Sequence, residues 1–243
     1  MILKLDPSLR PADYGPVFRK FGRIHIPGIL DPAGAVALEQ RLRRFDAWTR
    51  ALTVGDPGDG HAVLDPDGLD AEGVCRVERV VTPPGQTDIR FLFDMHSIAT
   101  VRPRPGVRDP RLIPIGDFIN GPGFLDFARS LTGDDRIRRC DASATRYMPG
   151  HYLTPHNDAN AGEERLYAYV LNLSRSWKVE WGGVLAFIDA DGHVAEGYTP
   201  VFNSLNIFRV PQNHTVTMVN ALARVPRLAV TGWMHGPGST AQN

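Results

Sequence analysis

The sequence predicts an α+β fold in which N-terminal helices pack against an antiparallel sandwich or jelly roll. Three observations predict it. After Asp134, seven short runs rich in β-branched and aromatic residues follow one another, each bounded by Gly, Pro, Asn or Asp. Before Asp134, apolar residues recur at helical spacing in two places. The 243 residues can bury a large core without help from disulfides. The chain therefore reads as one domain, with about 1–133 as mainly helical support and loops and about 134–236 as the jelly-roll core.

The elements follow in order. Arg23-Ile-His-Ile-Pro27 reads as a short strand. Asp31-Pro32 is an N-cap followed by Pro in the first turn, and Val36, Leu38, Leu42 and Phe45 extend a helix over about 32–46. Gly55 to Gly73 is rich in Gly, Asp and Pro and reads as a mobile loop, while Asp88 to Ile98 fits a helix or a strand equally. Val101 to Arg111 is a second, Pro- and Arg-rich loop carrying Arg102, Arg104, Arg108 and Arg111. Gly121 to Leu131 is a helix bearing Phe124, Phe127 and Leu131, stopped by Gly133. The strands are then Arg138–Tyr147, Tyr152–Asn157, Leu166–Leu173, Gly183–Ile188, Ser204–Val210, Thr215–Val219 and Arg227–Met234.

Composition excludes several function classes. Lys plus Arg number 27 against 27 Asp plus Glu, so no cationic excess exists for nucleic acid or for an anionic membrane surface. No apolar run approaches the ~20 residues that span a bilayer. The first sixteen residues hold no apolar signal core, so no export signal is expected. Cys75 and Cys140 form neither a metal pattern nor a disulfide framework, which points to a reducing cytoplasm.

His156-Asn157-Asp158 is the most informative tripeptide. On a strand, residues i and i+2 point to one face, so imidazole and carboxylate converge. His214, after a Pro-Gln-Asn turn, offers a third ligand from a distant strand that a sandwich can bring alongside. Two His and one carboxylate leave half of an octahedron open, which suits non-haem Fe(II) oxygenases; a catalytic zinc with three protein ligands fits the triad as well. Arg227 begins a run that alternates cleanly: Arg227, Ala229, Thr231 and Trp233 share one face, Leu228, Val230 and Met234 the other. A guanidinium inside a barrel needs an anion, best a bidentate carboxylate. Arg224, just before Val225-Pro226, is the rival anion binder.

These residues resemble the Fe(II)/2-oxoglutarate dioxygenases, within them the prolyl-hydroxylase-like group. The matching pieces are Arg146-Tyr-Met-Pro-Gly-His-Tyr-Leu-Thr-Pro-His156-Asn-Asp158, Tyr169-Val-Leu-Asn172, Trp181-Gly-Gly183, Phe202 to Phe208, His214 and Arg227-Leu-Ala-Val-Thr-Gly-Trp233. The ending Arg-Leu-x-Val-x-Gly-Trp-x-His is similar to the prolyl hydroxylases that modify a ribosomal protein. Phe91 to Ile98 and Ile26-Pro-Gly-Ile-Leu30 are supporting similarities, and the resemblance covers roughly residues 20–236.

The resemblance implies a double-stranded β-helix with iron held by His156, Asp158 and His214. By the same match Arg227 pairs with the distal carboxylate of 2-oxoglutarate and Tyr147 hydrogen-bonds that co-substrate. It implies dioxygen as oxidant, ascorbate as a reductant for iron, and hydroxylation of a C–H bond with release of succinate and CO2. Prolyl hydroxylation of a protein or peptide is the first expectation, a free amino acid or other small molecule the second. Two departures stand out: Ala229 occupies a position where many relatives have Ser, and the spacing from His214 to Arg227 is longer than usual. A zinc hydrolase or a non-catalytic metal-binding module on the same sandwich are the alternatives from other classes.

Overall fold

The computed structural model describes residues 1–53, 61–64, 76–78, 89–99, 109–160 and 162–238. Its helices are α1 (Pro11–Phe21), α2 (Pro32–Arg43), α3 (Ile113–Ile119) and α4 (Pro122–Thr132). α2 starts as expected: the Asp31 carboxylate accepts the Gly34 N–H at 3.0 Å, with Pro32 in the first turn. It ends at Arg43 rather than near 46, and Phe45 instead packs edge-on against Trp48. α4 stops at Gly133, left-handed at φ 71°, whose N–H reaches Arg129 O. Neither α1 nor α3 is predicted. α1 contains Gly15 and Pro16, both poor helix residues, and is held by burial of Phe18 beside Tyr167.

The strands are β1 (Arg23–Pro27), β2 (Thr49–Thr53), β3 (His61–Leu64), β4 (Arg76–Glu78), β5 (Phe91–Ala99), β6 (Arg139–Cys140) and β7 (Ala142–Tyr147). They continue with β8 (Tyr152–His156), β9 (Arg165–Asn172), β10 (Leu185–Ile188), β11 (Val194–Tyr198), β12 (Ser204–Arg209), β13 (His214–Val216) and β14 (Arg227–His235). All pair antiparallel, in the order β1-β12-β9-β14-β7-β5-β8-β13-β10-β11, and curl into a nearly closed barrel, a jelly roll. The first half of the chain thus supplies strands as well as helices, since β1 pairs with β12 and β5 lies between β7 and β8.

Several expectations change. The ambiguous stretch 88–98 is a strand, β5. The loop expected over 55–73 contains β3, paired with β2 and β4, and the rest of it lies outside the described residues. The same holds for 101–108 of the second loop, with Arg102, Arg104 and Arg108, and for Cys75. Arg111 is described, and it pairs at the surface with Asp109 and Asp46, both at 2.7 Å. β2 and β11 are unpredicted strands; β11 is an exposed edge whose Glu196 and Gly197 hide its pattern.

Period-two alternation sorts the long strands into two faces. Leu171, Leu205, Ile207, Leu228, Val230 and Met234 join one cluster with Phe18, Leu38, Ile115, Phe124 and Leu131 from the four helices. Each such side chain contributes about 1.5–3 kcal/mol on burial. The opposite face points into the barrel, where Ala168, Val170, Phe208 and Ala229 meet Leu185 and Phe187 of β10. That interior also buries Thr145, Asn172, Ser204, Asn206 and Arg227. Among the described residues, no helix is long and apolar enough to cross a membrane.

Candidate metal centre

His156 closes β8 and His214 opens β13, and the ladder sets them directly opposite each other. Their ring centroids are 4.1 Å apart. The Nδ1 of His156 lies 2.9 Å from Thr154 O and that of His214 lies 2.8 Å from Gln212 O. A carbonyl only accepts, so both Nδ1 atoms carry hydrogen and each neutral ring keeps its lone pair on Nε2. Those two Nε2 atoms face Asp158, at 3.3 Å from Oδ1 and 3.4 Å from Oδ2 respectively. The structure corrects the reason for this convergence. Asp158 is not a strand residue; it lies past the end of β8 in the left-handed region, φ 63°.

Burial and charge shape the triad together. Burial works to raise the Asp158 carboxyl, but when the imidazoles carry a second proton the His156 hydrogen bond and the charges of His214 and His156 hold it down to about 2. The Trp233 indole N–H, which makes no regular hydrogen bond, leans on the same carboxylate. His214 is pushed down to about 4, first by burial and then by His156. For His156, burial works downward, yet Asp158 overrides it and the imidazole rises. Two nitrogen lone pairs and a carboxylate, all within 4.8 Å of one another, make a cation-binding corner. Ferrous iron suits this donor set.

The second half of the site lies where β14 begins. Arg227 is 1% exposed, sits across from Tyr147, and makes no ion pair among the described residues. Its Nε has no hydrogen-bond partner, and its guanidinium lies 5.1 Å over the Tyr147 ring. Burial lowers the Arg227 pKa and raises that of Tyr147, leaving Tyr147 a neutral phenol stacked on Phe93. Gly183, at φ 64°, permits this packing; a Cβ there would lie 3.0 Å from Arg227 Cδ. Arg224, the rival, is exposed in the preceding loop. Asn172 is fully buried and donates to Ser204 Oγ, while Thr231 and Trp233 share the inward face of β14.

Sequence reasoning missed Arg165. It opens β9, stacks 3.7 Å over the Trp233 ring and donates to the Asp158 carbonyl at 3.3 Å. In the sequence it stands in Glu163-Glu164-Arg165, which looks like any solvated charged turn.

Residues 142–235 match the family model of the 2OG-Fe(II) oxygenase superfamily, a span that runs from β7 to the end of β14. It contains the three candidate ligands, Tyr147 and Arg227. Among curated relatives, the prolyl 3,4-dihydroxylase OGFOD1 of Ostreococcus tauri is 27% identical over 168 residues, 62% of this chain and 32% of that protein. The prolyl 3-hydroxylase OGFOD1 of Mus musculus is 30% identical over 124 residues, 48% of this chain and 22% of that protein. The stretch from β7 to β14 is thus similar to the 2OG-Fe(II) oxygenase superfamily. The chain spans about a third or less of the length of these two relatives.

Solved structures show the same fold. A Pseudomonas putida prolyl-4-hydroxylase aligns with TM-score 0.60 at 20% identity, covering 93% of this chain and 98% of that one. A Trichoplax adhaerens prolyl hydroxylase, solved with a hypoxia inducible factor oxygen degradation domain peptide fragment, aligns with TM-score 0.60 at 11% identity, covering 94% and 90%. The family matched by residues 142–235 is one of Fe(II)- and 2-oxoglutarate-dependent oxygenases, and the donor set of His156, Asp158 and His214 accommodates such a metal.

Proposed function

We propose that this oxygenase hydroxylates a prolyl residue of a protein or peptide, using Fe(II), 2-oxoglutarate and dioxygen. Iron and 2-oxoglutarate, when bound, supply oxidation of a C–H bond to an alcohol with release of succinate and CO2. The carrying observation is the pairing of two features in one barrel. One is the corner of two Nε2 lone pairs and a carboxylate; the other is a buried guanidinium that makes no ion pair among the described residues.

His156, Asp158 and His214 hold the metal. Arg227 receives the distal carboxylate of 2-oxoglutarate, since a buried unpaired charge is costly and a carboxylate relieves it. Tyr147, kept neutral by burial, donates its O–H to that same carboxylate. Phe187 and Phe208 wall the His214 side and keep water from the corner. Ascorbate serves to keep the iron ferrous. The prolyl-hydroxylase names of the relatives support the choice of substrate.

Anaerobic titration of the Fe(II)-loaded protein with 2-oxoglutarate tests the site. A saturable visible charge-transfer band is expected, absent in Asp158→Ala and weakened in Arg227→Ala. A folded, metal-loaded wild type without a band overturns the reading. Proline-containing peptides then test the substrate by a gain of one oxygen in mass. Oxidation of free amino acids with no peptide oxidised would replace the peptide by a small molecule.

A further inference from the structure

Of the three candidate ligands, Asp158 alone is held by no strand. His156 and His214 face each other in the β8–β13 ladder, whereas Asp158 lies two residues beyond β8 at φ 63°. An Asp tolerates that conformation better than most residues, but it relaxes to negative φ when nothing holds it. Among the described residues its carboxylate oxygens face the Nε2 atoms of His156 and His214, which a metal would come between, and the Trp233 indole. Among the described residues its backbone has one anchor from a side chain: the Asp158 carbonyl accepts from Arg165 Nη1 at 3.3 Å.

Arg165 is itself fixed on two sides. Its Nε and Nη2 lie 3.0 and 2.9 Å from Glu163 Oε2, and its guanidinium carbon is 3.7 Å from the Trp233 ring centroid. A guanidinium is a rigid plane of five donors, so fixing one edge and one face aims the remaining edge. That edge points at Asp158. Trp233 closes the circuit, since it lies on the same face of β14 as Arg227 and leans on the Asp158 carboxylate.

We propose that Arg165 is a positioning residue of the metal centre, clamping the Asp158 backbone in its left-handed conformation and so presetting the carboxylate for the cation. The proposal rests on the reading of His156, Asp158 and His214 as ligands. Arg165 touches neither metal nor co-substrate; it acts through Asp158. Groups in such supporting positions typically change metal affinity by roughly 10- to 100-fold when removed.

The test uses Co(II) as probe on the metal-free protein, following its visible bands, with thermal melts alongside. Wild type binds saturably, and His156→Ala abolishes the bands. Arg165→Gln is expected to weaken Co(II) binding by roughly 10- to 100-fold and to change the band shape, which reports ligand geometry. Arg165→Lys keeps the charge but loses the planar fork, and is expected to weaken binding as well. Glu163→Gln, which frees one edge of the fork, weakens it several-fold.

Wild-type affinity and band shape in folded Arg165→Gln and Arg165→Lys overturn the clamp while leaving the ligand assignment intact. If Arg165→Gln does not fold, wild-type binding by Arg165→Lys and Glu163→Gln has the same force. Wild type that binds no Co(II), or His156→Ala that binds it unchanged, removes the ligand assignment and the clamp together.

Discussion

Strand β14 has two faces that are equally buried where it begins and chemically opposed. Leu228, Val230 and Met234 are at most 1% exposed and meet the helices through apolar contacts alone. Arg227, no more exposed, looks into the barrel with its Nε unpartnered beside a neutral Tyr147. One face lowers the free energy of the fold by hydrophobic burial. The other spends stability on an uncompensated charge. Burial therefore does not identify core; a buried polar atom lacking a partner identifies a place for an external one.

The contrast is sharpest at the candidate ligands. Asp158→Ala is expected to cut 2-oxoglutarate turnover by about a thousandfold or more, roughly 4 kcal/mol of transition-state stabilisation. Its melting temperature at neutral pH should fall only modestly, because a carboxyl that folding depresses contributes some stability above its unfolded pKa. Succinate release and a thermal melt read the two effects separately, and a variant that unfolds with its activity would break the division between faces.

On the helix-facing side, Leu228→Ala should destabilise by about 2–5 kcal/mol in urea. The folded fraction should bind 2-oxoglutarate within twofold of wild type; a large loss of affinity would show that the two faces are coupled. Arg227→Met sharpens the other side. The dissociation constant for 2-oxoglutarate is expected to rise 10- to 100-fold, about 1.4–2.8 kcal/mol. The urea midpoint should not fall, and a drop would mean that the guanidinium already contributes to the fold.

The smallest effect lies at the outer end of α4. Asp134 accepts from Arg136 at 2.8 Å and from the Tyr167 hydroxyl at 3.0 Å. The Arg136 hydrogen bond, against the effect of burial, holds its carboxyl down to about 2. A carboxyl depressed by folding stabilises above its unfolded pKa, about 3.9, and loses that contribution as pH falls toward 2. Asp134→Asn should therefore be less stable than wild type near neutral pH by under about 1 kcal/mol, given the exposed arginine. Melts at decreasing pH should converge near pH 2, with 2-oxoglutarate binding unchanged throughout.

Much of this division was legible in the sequence because β14 is long and its alternate residues differ in kind. Arg227, Ala229, Thr231 and Trp233 announce a face unlike Leu228, Val230 and Met234. The choice between Arg227 and Arg224 was left open, and the structure places Arg224 on the surface. Spacing singles out His156 and Asp158, and the fold brings them together, although the strand geometry behind that spacing does not extend to Asp158. Its conformation depends on Arg165, a partner seven positions away that only the folded chain brings near. α1 was invisible because Pro16 and Gly15 contradict it locally and packing overrides them. β11 was invisible because an exposed edge has no buried face to print a pattern.

The pairing of β1 with β12 has a consequence in time. His25 meets Asn206 across 181 positions, and Thr145 meets the Ala229 carbonyl across 84. Contacts of such sequence separation form late, after the closure of long loops. On a ribosome adding roughly 5–20 residues per second, β1 waits for β12 for roughly 10–40 seconds. The helices of the N-terminal half can form in that interval, but the barrel cannot. Because β8 and β13 carry the two histidines, their corner exists only once that ladder has closed, so any metal the corner holds must load after it.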